Sequence, residues 1–284
     1  MNTVKFSLIL ATLNPDLNLL RRTLESLKSQ VVFNFEVIVV EQSQPLTSEE
    51  LVNEYANFFP VRLVWSEKGL SRSRNAGVIM ARGDYLLFPD DDCWYDIDFF
   101  YKLASITDSK KFGFITFRAA NDENVDIAKF DDISGFCNKY NIWKRVSSIS
   151  MCVRKTLFDD INGFDETLGL GSGLKTSACE DIELPLRAME RNIAVYYDSK
   201  LISRHDVPIQ RDSKSIVERA KNHMYSVGYI YRTYKYSKLF VAYSVSKNIV
   251  ALIINLLKLN PTMVKYYYYT ANGKINGYFG GKRH

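Results

Sequence analysis

Three consecutive carboxylates, Asp90, Asp91 and Asp92, are the strongest chemical signal in this sequence. They directly follow the apolar run at residues 85–88, which predicts a buried strand ending at the triplet. Like charges this close disfavour joint ionisation, so the triplet needs a compensating cation. Carboxylate oxygens suit Mn²⁺ or Mg²⁺, which bind one or two protein carboxylates together with phosphates. A helix N-cap would use one aspartate only, so we expect a divalent-metal site.

A second acidic pair, Glu180 and Asp181, precedes a predicted helix at residues 182–187. Ser177 and Glu180 also have the spacing of a capping box, which would give Glu180 a purely structural role. That alternative leaves Asp181 unexplained. An aspartate in a cleft can act as a general base toward a hydroxyl group, so Asp181 is the candidate for this role.

Basic and imidazole side chains supply two further candidates. Arg72 and Arg74 lie at the start of a predicted helix, where the dipole and the guanidinium groups favour a phosphate, although Arg72 also fits a solvated helix face. No GxxxxGK[ST] or GxGxxG motif is present. The three histidines are too scattered to form a zinc site. His205, which follows the apolar run at 195–197, is either a metal ligand or an ordinary structural histidine.

The elements that must position these groups alternate along the first half of the chain. Helical spacing separates short apolar runs, which predicts a mainly parallel sheet flanked by helices with a ligand crevice at the carboxyl ends of the strands. The predicted strands are residues 6–11, 35–40, 61–65, 85–88 and 113–117. The predicted helices are residues 17–30, 48–58, 71–81 and 97–106. Polar groups therefore meet at one edge of the sheet.

Composition excludes several classes of protein. The 284 residues are 46% hydrophobic and 24% charged, which suits a large folded domain with or without an appendage and excludes a disordered or fibrous chain. The four cysteines occur singly, which fits a reducing compartment. The apolar run at 6–11 is too short for a secretory signal, so we expect a cytoplasmic protein.

The net charge of +5 conceals an uneven distribution. Residues 200–284 contain 15 Lys and Arg against 3 Asp and Glu, which predicts an anionic partner, either nucleic acid or a membrane leaflet. We predict long helices at 215–231 and 238–259, followed by a glycine-rich tail at 273–281. The second helix suits packing in a bundle or a position in the membrane interface.

Six segments of the chain, taken together, resemble a known family. They are ATLN (11–14), VIVVEQS (37–43), GLSRSRNAG (69–77), ARGDYLLFPDDD (81–92), INGFDETLGLGSG (161–173) and CEDIELPLRAMERN (179–192). In this order, over roughly residues 5–210, they resemble the family 2 glycosyltransferases. The resemblance implies the GT-A fold, an α/β Rossmann-like sheet flanked by helices. It suggests a catalytic domain at 1–213 and a helical C-terminal region at 214–284.

The resemblance also implies roles for individual residues. Asp92 would bind Mn²⁺ or Mg²⁺ on the donor diphosphate, with Asp90 reaching both ribose and metal and His205 as a further ligand. Asp181 would be the general base, with Glu180 beside it. The residues matching the nucleotide site are Thr12, Asn14, Glu41, Ser43, Arg74, Asn75, Asp90 and Asp91. The implied reaction moves a sugar from a nucleotide sugar to a glycan or lipid-linked glycan, with inversion, in cell-surface polysaccharide synthesis.

The basic C-terminal region would then hold such an enzyme at an anionic leaflet, the inner face of the plasma membrane, without binding nucleic acid. Two alternatives remain. A sugar-nucleotide pyrophosphorylase usually has a glycine-rich basic loop after its first strand, where this chain has Thr-Leu-Asn-Pro at 12–15. A nucleic-acid-binding protein would explain the basic tail but leaves both acidic clusters without a role.

Overall fold

Two units interleave along the chain in the computed structural model, which describes residues 4–32, 34–110, 112–207 and 213–280. The first, here the sheet unit, comprises Met1–Asp165 and Leu184–Val207. The second, here the helical unit, comprises Glu166–Glu183 and Pro208–His284. All four cysteines carry free thiols.

Eight strands form one sheet among the described residues of the sheet unit. Their bounds are β1 Phe6–Thr12, β2 Phe35–Glu41, β3 Val61–Trp65, β4 Tyr85–Leu87, β5 Phe114–Ala120, β6 Gly135–Phe136, β7 Met151–Arg154 and β8 Val195–Arg204. The spatial order is β3-β2-β1-β4-β7-β5-β8-β6. Neighbours are parallel from β3 to β4 and between β5 and β8, whereas β7 and β6 pair antiparallel with their neighbours. The predicted α/β fold with a mainly parallel sheet is confirmed.

Helices connect and flank these strands. Their bounds are α1 Leu17–Lys28, α2 Glu49–Tyr55, α3 Leu70–Ile79, α4 Phe99–Lys110, α5 Lys155–Asp160, α6 Glu180–Glu190, α7 Ser213–Thr233, α8 Lys238–Leu257 and α9 Pro261–Phe279, with a 3₁₀ turn at Ile142–Lys144. Asp16 caps α1 by accepting hydrogen bonds from two backbone amides. The helix after the aspartate triplet begins only at Phe99, so Asp92 is not its N-cap.

The central strands are buried on both faces, which is why they are continuous apolar runs in the sequence. The Phe35 ring stacks on Phe100 with centroids 4.7 Å apart. The strand register then decides what meets at the carboxyl edge. Leu8 of β1 lies opposite Leu87, the last residue of β4, and beyond this pair the chain continues alongside the end of β1, where Thr12 is hydrogen-bonded to Asp91.

Helices α7 and α9 of the helical unit approach each other closely through glycines. A Cβ atom on Gly228 would lie 2.1 Å from the carbonyl oxygen of Lys274, and one on Gly277 would lie 2.0 Å from that of Tyr225. The prediction of a glycine-rich tail at 273–281 was therefore wrong for residues 273–279, which are helical, while Gly281 lies outside the described residues. Glycine here serves backbone contact between helices rather than chain flexibility.

Helix α8 is apolar and largely exposed. Among the described residues it is the one helix whose length and composition would suffice to cross a membrane, with a mean hydropathy of 1.7 and 17% of its most apolar window buried. Leu239 and Leu257 are 84% and 79% exposed. The exposed face of α8 is therefore more apolar than the solvent-facing side of an ordinary amphipathic helix, which is mainly polar.

Candidate functional site

The carboxyl ends of β1, β2 and β4 bring four predicted site residues together. Thr12 at the end of β1 donates a hydrogen bond from its hydroxyl to the Asp91 carboxylate. The backbone amide of Asn14 donates to the Ser43 hydroxyl at 2.8 Å, which joins the loops after β1 and β2. Burial raises the pKa of Asp91, and the Thr12 hydroxyl opposes that effect.

Asp90 is held by a buried cation. The Arg74 guanidinium, which is fully buried on α3, lies 3.1 Å from Asp90 Oδ1. Burial raises the pKa of Asp90, and the positive charge of Arg74 opposes this. Arg72, two residues earlier, is exposed and pairs with Glu67 at 2.9 Å. The solvated-face alternative is therefore correct for Arg72, because residues two apart on a helix do not share a face.

Asp92 forms the part of the triplet that fits a metal ion. Its Oδ2 atom lies 3.2 Å from Nε2 of His205, which follows directly after β8. Burial alone would raise the pKa of Asp92, but the hydrogen bond and charge of His205 outweigh burial and hold that pKa below its ordinary value. The same hydrogen bond raises the pKa of His205.

The other carboxylate oxygen of Asp92, Oδ1, is buried and has no hydrogen-bond partner among the described residues. A buried acceptor without a partner is costly unless a ligand or water satisfies it. Together with the adjacent imidazole it offers one oxygen and one nitrogen to a divalent cation, so the residues present fit Mn²⁺ or Mg²⁺. No group of three or more acidic, His or Cys side chains forms a metal cluster within the described ranges.

Glu41 ends β2 with both carboxylate oxygens occupied. Oε1 accepts hydrogen bonds from the Thr47 amide at 2.8 Å and the Thr47 hydroxyl at 2.7 Å. Oε2 accepts from the Ser48 amide at 3.1 Å and the Ser48 hydroxyl at 2.6 Å. Burial would raise the pKa of Glu41, but these four donors lower it on balance. The carboxylate therefore closes the loop at residues 42–48, which contains Ser43.

Asn75 is also engaged with the protein backbone. Its side-chain amide donates to the Phe164 carbonyl oxygen, and its carbonyl oxygen accepts from the Phe164 amide, both at 2.9 Å. The residue thereby fastens α3 to the loop at 162–165. The Phe164 ring in turn lies 5.5 Å from the Arg74 guanidinium carbon. Asn75 thus supports the position of Arg74 and, through it, of Asp90.

Glu180 and Asp181 are the first two residues of α6 in the helical unit. Glu180 is buried and Asp181 is partly exposed. Because α6 begins at Glu180, Ser177 cannot be its N-cap, and the capping-box alternative is wrong. The Ser177 hydroxyl instead donates to the Asn222 carbonyl oxygen of α7 at 3.0 Å.

Two residues of α1 that the sequence analysis did not identify hold the backbone of the aspartate triplet. The Thr23 hydroxyl donates to the Asp91 carbonyl oxygen at 3.0 Å, and Arg22 donates to the Asp92 carbonyl oxygen at 3.2 Å. The Arg22 guanidinium also covers the Trp94 ring, 3.9 Å from its centroid, and pairs with Asp206 at 2.8 Å. A threonine on the buried face of an amphipathic helix was the available signal for this support.

Comparison with known proteins gives relatives over part of the chain. EpsH of Bacillus subtilis (strain 168) is 35% identical over 102 residues, which is 35% of this chain and 29% of EpsH. The matched part of the chain thus spans less than a third of the length of that relative.

Solved structures match over nearly the whole chain. S. aureus TarS 1–349 in complex with UDP-GlcNAc is 18% identical with a TM-score of 0.56, covering 96% of this chain and 91% of TarS 1–349. The mannosyltransferase PcManGT from Pyrobaculum calidifontis, solved with GDP-Man and Mn²⁺, is 12% identical with a TM-score of 0.61, covering 99% and 88%. At these identities the similarity shows the fold.

One family model matches most of the sheet unit. It is described as glycosyl transferase family 2 and matches residues 7–156, more than half of the 284 residues. The matched range begins in β1 and ends just after β7, so it contains the aspartate triplet and the loops that surround it. This chain belongs to glycosyltransferase family 2.

Proposed function

We propose that this protein transfers a sugar from a nucleoside diphosphate sugar to a hydroxyl of a glycan or lipid-linked glycan, with a divalent metal and inversion of configuration. The observation that carries the proposal is the buried Oδ1 of Asp92, which lies beside His205 at the carboxyl edge of a family 2 sheet and has no hydrogen-bond partner in the described part of the chain. The reaction would serve the synthesis of a cell-surface polysaccharide. Domain 1–213 would carry out the sugar transfer, and region 214–284 would contact the membrane.

Asp92 and His205 would hold the metal ion, with Asp90 as an outer contributor. Carboxylates suit Mn²⁺ and Mg²⁺ alike, whereas an imidazole ligand favours a transition metal, so we expect Mn²⁺ to be preferred. When bound, the metal supplies positive charge against the negative charge that grows on the departing diphosphate. Only the neutral imidazole of His205 would hold a metal, so metal binding would weaken as the pH falls.

The nucleotide would lie on the loops that follow β1 and β2. Thr12 and Ser43 place hydroxyl groups at these loops, and the backbone amide of Asn14 is bonded to the Ser43 hydroxyl. We infer that Glu41 acts indirectly, because its four hydrogen bonds shape the loop that carries Ser43. The buried Arg74 holds Asp90 in place and, with Asn75, makes this edge rigid before a ligand arrives. Asp91 is fixed by Thr12 and Thr23.

Asp181 would take the proton from the acceptor hydroxyl as the new glycosidic bond forms. The support for this role is the match of Glu180-Asp181 to the acidic pair of the family and the partial exposure of Asp181 beside the buried Glu180. A single in-line displacement by that hydroxyl inverts the anomeric carbon. Glu180 would orient the first turn of α6 without exchanging a proton.

The decisive experiment is a thermal-shift panel of UDP-, GDP-, dTDP- and CDP-linked sugars with and without Mn²⁺. A ligand at 100 times its Kd stabilises the native state by about 2.7 kcal/mol, which is roughly 5–10 °C for a unit of this size. We expect one nucleotide to give this shift with metal and a much smaller one without it. The UDP-GlcNAc complex of TarS and the GDP-Man complex of PcManGT make UDP and GDP the first choices.

Two variants sharpen that experiment. Asp92→Asn keeps the shape of the side chain but removes its charge, and we expect it to lose the metal-dependent part of the shift. Asp98→Asn, which breaks only an ion pair with Lys102 on α4, is the matched control and should behave as the wild type. The proposal is wrong if no nucleotide sugar shifts the wild type with either Mn²⁺ or Mg²⁺.

We further propose that α8 lies on an anionic membrane surface. The support is its exposed apolar side chains, among them Leu239 and Leu257, and the basic residues Lys238 and Lys258 at its two ends. Flotation with phosphatidylglycerol vesicles tests this directly. Leu257→Asp should reduce recovery with the vesicles, whereas Ile79→Asp, at an equally exposed site on α3, should not. Recovery that is independent of Leu257 would contradict the proposal.

A further inference from the structure

Two adjoining cavities in the helical unit have no part in the donor chemistry described above. The first, about 640 Å³, is lined by the loop at 170–177 and by α7 and α9. The second, about 430 Å³, is lined by the first turns of α7 and α9. Lys221 and Tyr269 line both cavities, so the two adjoin each other, and together they are here named the basic groove. Each cavity is within the size range of ordinary ligand sites.

Positive charge dominates the basic groove. Its cationic and titratable basic side chains are Lys175, Lys214, Lys221, Lys265 and His223. Glu218 is the one acidic side chain among the described residues that line it. The groove also belongs to a strongly basic segment, because residues 213–280 contain ten Lys and Arg against a single Glu. A concave surface with this excess of one charge raises the local concentration of a polyanion.

The remaining lining is suited to sugars and polyols. Tyr269 offers an aromatic face at the junction of the two cavities, and Asn222, Asn272 and Asn276 offer amide donors and acceptors for hydroxyl groups. A lipid bilayer would need several exposed apolar side chains in the same place, whereas the groove has one among the described residues, Leu170, and α8 carries many. The combination of lysines, amides and the two tyrosines Tyr225 and Tyr269 therefore favours a hydroxyl-rich polyanion over a membrane.

The basic groove lies close along the chain to the candidate base. Ser177, on its wall, is hydrogen-bonded to Asn222 of α7, and the next residue, Ala178, donates its amide to the Ser226 hydroxyl at 3.2 Å. These two bonds attach the start of α6 to α7. Asp181 follows Ser177 by four residues, which even fully extended span at most about 14 Å. An acceptor whose hydroxyl reaches Asp181 would have its next units near this wall.

We propose that the basic groove binds an acceptor glycan with regularly spaced negative charges, either phosphodiesters or carboxylates. The groove holds units of the acceptor beyond the one that reacts, with lysine ammonium groups on the charges and amides on the hydroxyls. The inference rests on the proposed function, since it names the acceptor class of the same reaction. It also predicts that added salt weakens acceptor binding, because the contacts are exposed ion pairs.

The test measures binding by isothermal titration calorimetry with three probes: a glycerol phosphate hexamer, a galacturonate hexamer and the uncharged maltohexaose. The variant is Lys221→Ala with Lys265→Ala, since alanine preserves the helices. The control is Lys129→Ala with Lys200→Ala, which removes the same charge from exposed positions of the sheet unit. We expect the groove variant to bind the charged hexamer about tenfold more weakly, which is about 1.4 kcal/mol, while the control matches the wild type.

Each outcome decides the inference. Binding of either charged hexamer that depends on the groove lysines supports it, and the stronger hexamer identifies phosphate or carboxylate as the anion. Equal binding of maltohexaose, or equal losses in variant and control, overturns it. So does tighter, groove-dependent binding of duplex DNA or phosphatidylglycerol vesicles, which would assign the groove to another partner.

The nucleotide-sugar thermal shift separates this inference from the proposed function. A metal-dependent donor shift without hexamer binding would overturn the basic groove as an acceptor site and leave the transferase standing. Groove-dependent hexamer binding without any donor shift would overturn the acceptor role together with the transferase, leaving a polyanion site of another kind.

Discussion

Replacing Glu41 by glutamine should loosen the loop that carries Ser43 without touching the metal ligands. The Glu41 carboxylate accepts four hydrogen bonds from Thr47 and Ser48. Hydrogen bonds to a charged acceptor contribute about 1.5–3 kcal/mol each, against about 0.5–1.5 kcal/mol for a neutral one. In Glu41→Gln one oxygen becomes an NH₂ group, which faces a backbone amide that it cannot accept from and a hydroxyl that must turn to accept its hydrogen. The two bonds to the remaining oxygen lose their charge.

The Thr47 and Ser48 hydroxyls can turn and recover part of this loss. The net loss should therefore be about 3 kcal/mol of unfolding free energy, or roughly 6–12 °C in melting temperature. The pH dependence follows from the lowered pKa of Glu41. A carboxylate whose folded pKa lies below its unfolded value stabilises the protein above the unfolded pKa and loses that effect as the pH falls through the folded one. The gap between wild type and variant should therefore be constant down to about pH 5 and shrink below it.

Urea unfolding at pH 7 and near pH 4 measures both quantities. Glu67→Gln is the control, because its exposed ion pair with Arg72 should contribute less than about 0.5 kcal/mol. In donor titrations Glu41→Gln should raise the Kd while the requirement for metal persists. A variant that unfolds within 1 kcal/mol of the wild type, or a gap that does not change on acidification, would refute the assignment of Glu41 as the anchor of this loop.

Three further results are expected. Asp181→Asn should abolish most sugar transfer while leaving the donor thermal shift intact, and near-wild-type turnover would exclude Asp181 as the base. Gly228→Ala should lower the melting temperature, because a Cβ 2.1 Å from the Lys274 carbonyl oxygen forces α7 and α9 apart at a cost of about 1–3 kcal/mol, outweighing the usual gain of alanine in a helix. Lys274→Met should stabilise the protein at pH 7, because burial and then the nearby Lys247 lower the pKa of Lys274 to about 8. The unfolded chain keeps that proton up to about pH 10.4, so the stability of the wild type rises from pH 8 upward. The advantage of Lys274→Met should therefore shrink by pH 10, and urea unfolding at pH 7 and pH 10 measures it.

Tertiary contacts gave several predicted site residues a role that their spacing alone could not reveal. Arg72 and Arg74 are the same residue type two positions apart, and only the packing of α3 decides that Arg74 is buried against Asp90 while Arg72 faces solvent. Asn75 and Glu41 likewise form their hydrogen bonds with the protein itself, Asn75 with the Phe164 backbone and Glu41 with the loop after β2. Such partners are distant in sequence, so no local pattern indicates them.

The glycines of α9 are a second case in which tertiary contacts override what the local sequence predicts. Glycine has a low intrinsic helix propensity, and a segment with several glycines is normally a turn or a tail. In α9, Gly273 and Gly277 lie where a Cβ atom would strike α7, so helix packing reverses the local preference. For the support of the triplet by Arg22 and Thr23, the sequence indicated only that Thr23 lies on the buried face of α1. The packing of α1 against the triplet decided which backbone groups these two side chains contact.

The amino-acid sequence by itself determined the alternation of strands and helices, the first five strands of the sheet and the acidic triplet at a strand end. These features are local, because burial on both faces of a strand imposes a continuous apolar run and polar residues mark where it stops. Only the tertiary structure decided the strand pairing and packing that bring Thr12 to Asp91 and His205 to Asp92. The reason is that these contacts join residues far apart in the chain, and their geometry depends on how whole strands pair and pack.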